Sequence, residues 1–110
     1  MTMEPRIKEL VDKVNAKLES DEEMRNEVKD ITKTFNIDLE TEKYSFKMEN
    51  AKISDFKAEA LETADVTLIT SVENMTKLLD GDLRPMKAYI TKKVQIKGKF
   101  QDLMFLKKFF

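Results

Sequence analysis

The sequence predicts an α+β fold of two layers, a five-stranded, mostly antiparallel sheet with helices packed on one face. Three observations predict it. Apolar residues recur with a helical period over residues 7–18, then switch to alternation in two runs, 35–40 and 44–49. Serine and glycine then punctuate a further helical stretch after residue 70. At 110 residues with 41% hydrophobic content, the chain has the size of one domain, residues 1–110, with no internal repeat or linker.

The elements follow in order. Ile7, Leu10, Val11, Val14 and Leu18 form one apolar stripe, with Lys8, Glu9, Asp12, Lys13 and Lys17 on the other faces. Ser20-Asp21-Glu22-Glu23 reads as a capping box that opens a second helix, whose apolar face runs through Met24, Val28 and Ile31. Phe35, Ile37 and Leu39 make a first strand and Tyr44, Phe46 and Met48 a second, with a tight turn at Glu42-Lys43. Ala51, Ile53 and Phe56 make a third after a turn near Asn50. One clean apolar face implies an antiparallel meander whose other face meets water. Residues 59–64 are a connection. The more apolar run Val66–Thr70 is a fourth, more central strand.

Ser71 caps a helix carrying Val72, Met75, Leu78 and Leu79, which stops at Asp80-Gly81. A turn, a short helix opened by Pro85, a basic turn and a fifth strand over residues 93–97 follow. A last helix begins near Phe100 and carries Leu103, Met104, Phe105, Leu106, Phe109 and Phe110. Positions 103, 104, 106 and 110 cover more than one narrow stripe. Such a helix is deeply buried or touches something besides its own sheet.

Composition removes most catalytic chemistry. The chain has no His and no Cys, so disulfides, thiolate metal sites and most nucleophile–base pairs are unavailable. Ser20 and Ser71 are read as caps, and no spacing links Ser45 or Ser54 to a base. Asp80-Gly81-Asp82 reads as a turn and lacks the spacing of a calcium loop. Two glycines cannot build a phosphate-cradling loop. No catalytic residue, metal or cofactor is expected.

Net charge is −1 but unevenly spread, since residues 81–110 hold eight Lys and Arg against two Asp. The two ends either pair with each other or leave a basic face for anionic lipid. Aromatics interleave with these lysines, yet they fall at helical spacing with Leu and Met. Nucleic acid is therefore not the expected partner. No run approaches the roughly 20 apolar residues of a membrane span, and the first residues lack a signal-peptide core. The expectation is a cytoplasmic protein.

The segment Gly81-x-Leu83-x-Pro85-x-x-Ala88-Tyr89, followed by Lys93-Val94-x-Ile96-x-Gly98, resembles the signature of the sterol carrier protein 2 (SCP-2) domain family. Ala64–Leu68, Ser71-Val72-Glu73-Asn74 and Leu78-Leu79-x-Gly81 also look like it. The resemblance implies helices first, a five-stranded sheet, and helices around an apolar tunnel. Carried onto this chain, the tunnel walls would include Met75, Leu79, Leu83, Met86, Ile90, Leu103, Met104 and Phe110, with Phe46 and Met48 as floor. Lys92, Lys93 and Lys99 are candidates to hold an anionic head group. The chain departs from the family at Lys92-Lys93, where Gly-Lys is usual. It also ends Lys107-Lys108-Phe109-Phe110 without a peroxisomal address.

The implied function is non-catalytic binding and transfer of a fatty acid, fatty acyl-CoA or sterol-like lipid. A 14–16-carbon tail has about 11–13 kcal/mol of gross driving force for burial. The amphipathic first helix is a candidate for transient membrane contact. The alternative is a protein-interaction or dimerisation module without a small ligand, burying Phe109-Phe110 in a partner. Either a monomer or a homodimer is compatible with these readings.

Overall fold

A computed structural model describes residues 2–98 of the chain. The expected final helix, with Lys99, Leu103, Met104 and Phe110, lies outside the described residues. Helix α1 (Glu4–Ser20) and helix α2 (Glu22–Val28) lead into strands β1 (Lys33–Asp38), β2 (Lys43–Glu49), β3 (Lys52–Lys57) and β4 (Val66–Thr70). Helices α3 (Val72–Asp80) and α4 (Pro85–Ile90) and strand β5 (Val94–Lys97) follow. The sheet order is β3-β2-β1-β4-β5. Three pairings are antiparallel, and the central β1–β4 pairing is parallel.

Register brings the alternating apolar residues onto one face. Phe35 lies opposite Phe46 and beside Val66, Ile37 opposite Tyr44 and beside Leu68, and Met48 opposite Ile53. The Phe35 and Phe46 rings stack 4.9 Å apart, within the usual range for aromatic pairs. Ile7, Val11, Val14 and Leu18 of α1 and Met75 and Leu78 of α3 join the same core. The first helix therefore spends its apolar stripe on the sheet.

Several local expectations are corrected. Asp21, rather than Ser20, caps α2, accepting the Met24 N–H at 3.0 Å, while Ser20 is the last residue of α1. Helix α2 ends at Val28, and Ile31 packs beyond it. The first hairpin turns at Glu40-Thr41, since Lys43 already pairs with Asp38. Ala51 belongs to the second turn, where Asn50 and Ala51 have φ of +54° and +56°. Positive φ at both central residues matches the twist of a two-residue hairpin. The fifth strand starts at Val94.

The three-residue step from Ile53 to Phe56 has a physical cause. The β2–β3 register slips by one between Lys47–Ser54 and Ser45–Lys57, and Asp55 has φ +57°. This is a bulge, which places one extra residue on β3. Phe56 thereby returns to the apolar side, where its ring stacks on Tyr44.

The polar face does not simply meet water. The Asn36 side-chain amide donates to the Leu61 carbonyl at 3.0 Å and accepts the Leu61 N–H at 2.8 Å. This draws the 58–65 connection across the sheet and buries Asn36 and its cross-strand partner Ser45. The buried Ser45 hydroxyl has no partner among the described residues. Asn15 does similar work at the sheet edge. Its amide donates to the Ile53 carbonyl and accepts the Ile53 N–H at 3.0 and 2.8 Å, capping an edge strand that would otherwise present free backbone groups.

Glu42 ties the start of α1 to the first hairpin. One carboxylate oxygen accepts the Met3 N–H at 2.6 Å and the Tyr44 hydroxyl at 2.7 Å. Burial, and then the Glu42 bond, push the Tyr44 pKa up to about 12. The native state thus holds the phenol proton more tightly than the unfolded chain, whose tyrosine titrates near 10. The contribution of Tyr44 is intact below pH 10 and is lost as pH rises from 10 towards 12. A Tyr44→Phe variant should lose stability less steeply over that interval, as measured by urea unfolding at stepped pH. Equal slopes would remove Tyr44 from this account.

Candidate functional site

The segment after α3 builds an open groove of mixed apolar and polar lining, and each part has a local cause. Helix α3 ends at Gly81 with φ +81°, where the N–H groups of Gly81 and Asp82 bond the carbonyls of Leu78 and Lys77. Left-handed geometry costs glycine little. Pro85 then opens α4, where its missing N–H loses no helical bond. Along α4, Ala88 is fully buried, while Tyr89 and Ile90 are 40% and 71% exposed.

Helix α4 closes in the same way as α3, but with lysine in place of glycine. The Lys92 N–H bonds the Tyr89 carbonyl at 3.2 Å, and the Lys93 N–H bonds the Ala88 carbonyl at 2.8 Å. Lys92 accordingly has φ +61°. The sequence departure at this position thus falls on a left-handed residue. Lys92→Gly should raise unfolding stability by about 1 kcal/mol, because glycine lacks the Cβ clash of this geometry. A denaturation midpoint that falls in this variant contradicts the strain assignment.

The turn is held from below. The Thr70 hydroxyl and the Asn74 side-chain amide both donate to the Lys93 carbonyl, at 2.8 and 3.2 Å. Strand β5 leaves this anchor with Val94 buried and Ile96 half-buried. Between the end of α4 and β5 lies an open groove of about 530 Å³, lined by Tyr89, Ile90, Lys92, Val94, Gln95 and Ile96. Its size falls within the range of about 300–1,000 Å³ of small-molecule sites. A smaller groove of about 280 Å³ at the α1–α2 junction is lined by Lys17, Asp21, Glu23, Met24 and Glu27. Four of its five lining residues are charged, three of them acidic, which disfavours an anionic head group there.

The expected site residues fall into three groups. Phe46, Met48, Met75 and Leu83 are buried in the core, with Leu79 packed against it. Met86 is half-buried on α4. Ile90 and Lys92 line the groove, and Lys93 is exposed beside it. The structure therefore brings Ile90 and Lys92 together, and places Phe46 and Met48 in the sheet core away from that lining. Tyr89, Val94, Gln95 and Ile96 line the groove without having been expected there. The alternation of Val94 and Ile96 with Gln95 and Lys97 marked them as strand residues, and nothing in it says what faces an edge strand.

No metal-binding group of three His, Cys, Asp or Glu occurs among the described residues. No helix among them is long and apolar enough to cross a membrane. The model of the SCP-2 sterol transfer family matches residues 11–110. The chain belongs to this family. A search of curated proteins found no match.

Solved structures share the SCP-2 fold at low identity. The UbiJ-SCP2 ubiquinone synthesis protein superposes with a TM-score of 0.67 at 13% identity, covering 98% of this chain and 96% of that one. Palmitated SCP2L2 from Aedes aegypti gives 0.64 at 18% identity, covering 90% and 88%. The stereoselective inverting sec-alkylsulfatase Pisa1 from Pseudomonas sp. gives 0.63 at 15% identity. That match covers 77% of this chain but spans only 14% of the enzyme.

Proposed function

We propose that the chain is a single non-catalytic domain, residues 1–110, that binds an apolar lipid and exchanges it by opening and closing. The observation that carries this reading is the groove at the end of α4. Ile90, Val94 and Ile96 supply apolar wall, Ile90 stands 71% exposed, and Lys92 puts a cation at the rim. Three aliphatic side chains beside one cation, with Tyr89 and Gln95 completing the lining, suit a fatty chain ending in a carboxylate. A fold shared with a palmitated protein makes palmitate the first ligand to test.

The magnitudes are adequate. A chain of 14–16 carbons supplies about 11–13 kcal/mol if fully buried. Association and ordering costs of several kcal/mol bring this to roughly micromolar affinity. The expected tunnel walls at Met75, Leu79, Leu83 and Met86, with Leu103, Met104 and Phe110 beyond the described residues, extend the groove inward in this reading. Phe46 and Met48, closed within the sheet core in this state, become its floor only when the domain opens, and Lys93 and Lys99 assist Lys92 at the head group. A cytoplasmic location fits a chain without cysteine.

Titration with a fluorescent fatty acid tests the proposal. Saturable uptake at one ligand per chain, displaced by palmitate, is the expected result. No saturable uptake of a fatty acid, an acyl-CoA or a sterol contradicts it. One observation favours a second reading, since the same fold forms a small part of the larger sulfatase chain. On that reading the domain serves association. Sedimentation as a stable dimer, together with absent lipid uptake, would favour it.

A further inference from the structure

The fold answers a question that the sequence leaves open, namely which surface can meet a membrane. The amphipathic first helix cannot offer its apolar stripe while docked, because Ile7, Val11, Val14 and Leu18 are all buried in the core. Tyr89 and Ile90 at the end of α4 are the large hydrophobic side chains left exposed among the described residues.

The charges flanking that pair along the described chain, from Leu83 to Gly98, are of one sign. Arg84 and Lys87 precede Ile90 at three-residue spacing, which places all three along one side of α4. All three are exposed. Lys92 and Lys93 follow in the adjoining turn, and Lys97 lies at the end of β5. From Leu83 to Gly98 there is no Asp or Glu. None of these five cations forms a salt bridge among the described residues. The acidic groups of neighbouring α3 are engaged elsewhere, Asp80 with Arg6 at 2.7 Å and Glu73 with Lys77 at 3.5 Å. Asp82 is the nearest remaining carboxylate in sequence, and it precedes the segment.

We propose that the α4–β5 corner, with Ile90 and Tyr89 at its tip and Arg84, Lys87, Lys92, Lys93 and Lys97 around them, docks on an anionic phospholipid bilayer. The partner follows from charge complementarity together with an apolar tip. Lysine and arginine heads remain with the phosphates, while Ile90 and the amphipathic Tyr89 ring enter the interface. The inference goes beyond lipid binding in the groove and does not require it. It also places the groove mouth against the surface from which a lipid would come.

The test is co-sedimentation of the full chain with vesicles of phosphatidylcholine, alone or with phosphatidylserine. Binding to the anionic vesicles, weakened by salt, is expected. Each basic residue near such a surface is worth about fivefold in partitioning. The double variant Arg84→Gln/Lys87→Gln should therefore lose about 25-fold by the same estimate. The control Lys8→Gln/Lys13→Gln, which removes equal charge from the exposed side of α1, should change partitioning far less. Ile90→Ser should weaken binding to both vesicle types.

Fatty-acid uptake measured without vesicles should be unchanged in Arg84→Gln/Lys87→Gln, which separates this inference from the ligand reading. Three results overturn it. The first is no preference of the wild type for anionic vesicles. The second is unchanged partitioning of Arg84→Gln/Lys87→Gln. The third is an equal loss in the α1 control.

Discussion

Phe35→Ala should lower unfolding stability by about 3–5 kcal/mol, the usual cost of emptying a large aromatic site in a core. Phe35 sits on the central strand β1, stacked on Phe46 from β2 and paired in register with Val66 of β4. It therefore joins the antiparallel part of the sheet to the parallel crossover. Collapse into the vacated space is hindered because its neighbours are held by ladders on both sides. Chemical denaturation against wild type reads the effect directly. A loss below 1 kcal/mol would mean that the sheet interior is loosely filled, contrary to the packing described.

Ile90→Asp makes the opposite forecast. Ile90 is 71% exposed, so the fold should tolerate the change and circular dichroism should be unaltered. Affinity for a fatty acid should nevertheless fall about ten- to a hundredfold. That range corresponds to the 1.5–3 kcal/mol typical of burying one such side chain, before any penalty for the new carboxylate beside the ligand. Unchanged affinity would remove the end of α4 from the binding surface. The two variants together separate what holds the sheet from what faces a guest.

Much of this architecture is visible in the sequence because periodicity is visible there. The 7–18 stripe, the alternation through Met48, the Ser71 cap and the Gly81 stop all reappear at their expected places. Even the irregular step from Ile53 to Phe56 was a signal, since a bulge is needed to keep both on one face. Lys92 was likewise conspicuous, and its positive φ explains why glycine is the easier residue there.

The parts that were hidden depend on long-range pairing. Nothing local in Asn15 or Asn36 marks the first as a cap for the β3 edge, or the second as the anchor of the 58–65 connection. Those partners lie 38 and 25 residues away. The parallel β1–β4 pairing is equally invisible to period-2 patterning, which reports faces but not neighbours. The groove falls between these cases. Ile90 and Lys92 were legible from the signature segment, whereas Val94, Gln95 and Ile96 join them only because β5 ends the sheet beside α4.

We propose that this SCP-2 family chain carries an apolar lipid as a guest, a claim that organic extraction of the purified protein can decide. Mass spectrometry of the extract, compared with a mock preparation, should show a fatty acid or related lipid enriched towards one molecule per chain. An extract indistinguishable from the mock, from protein that also fails to take up added palmitate, contradicts the claim.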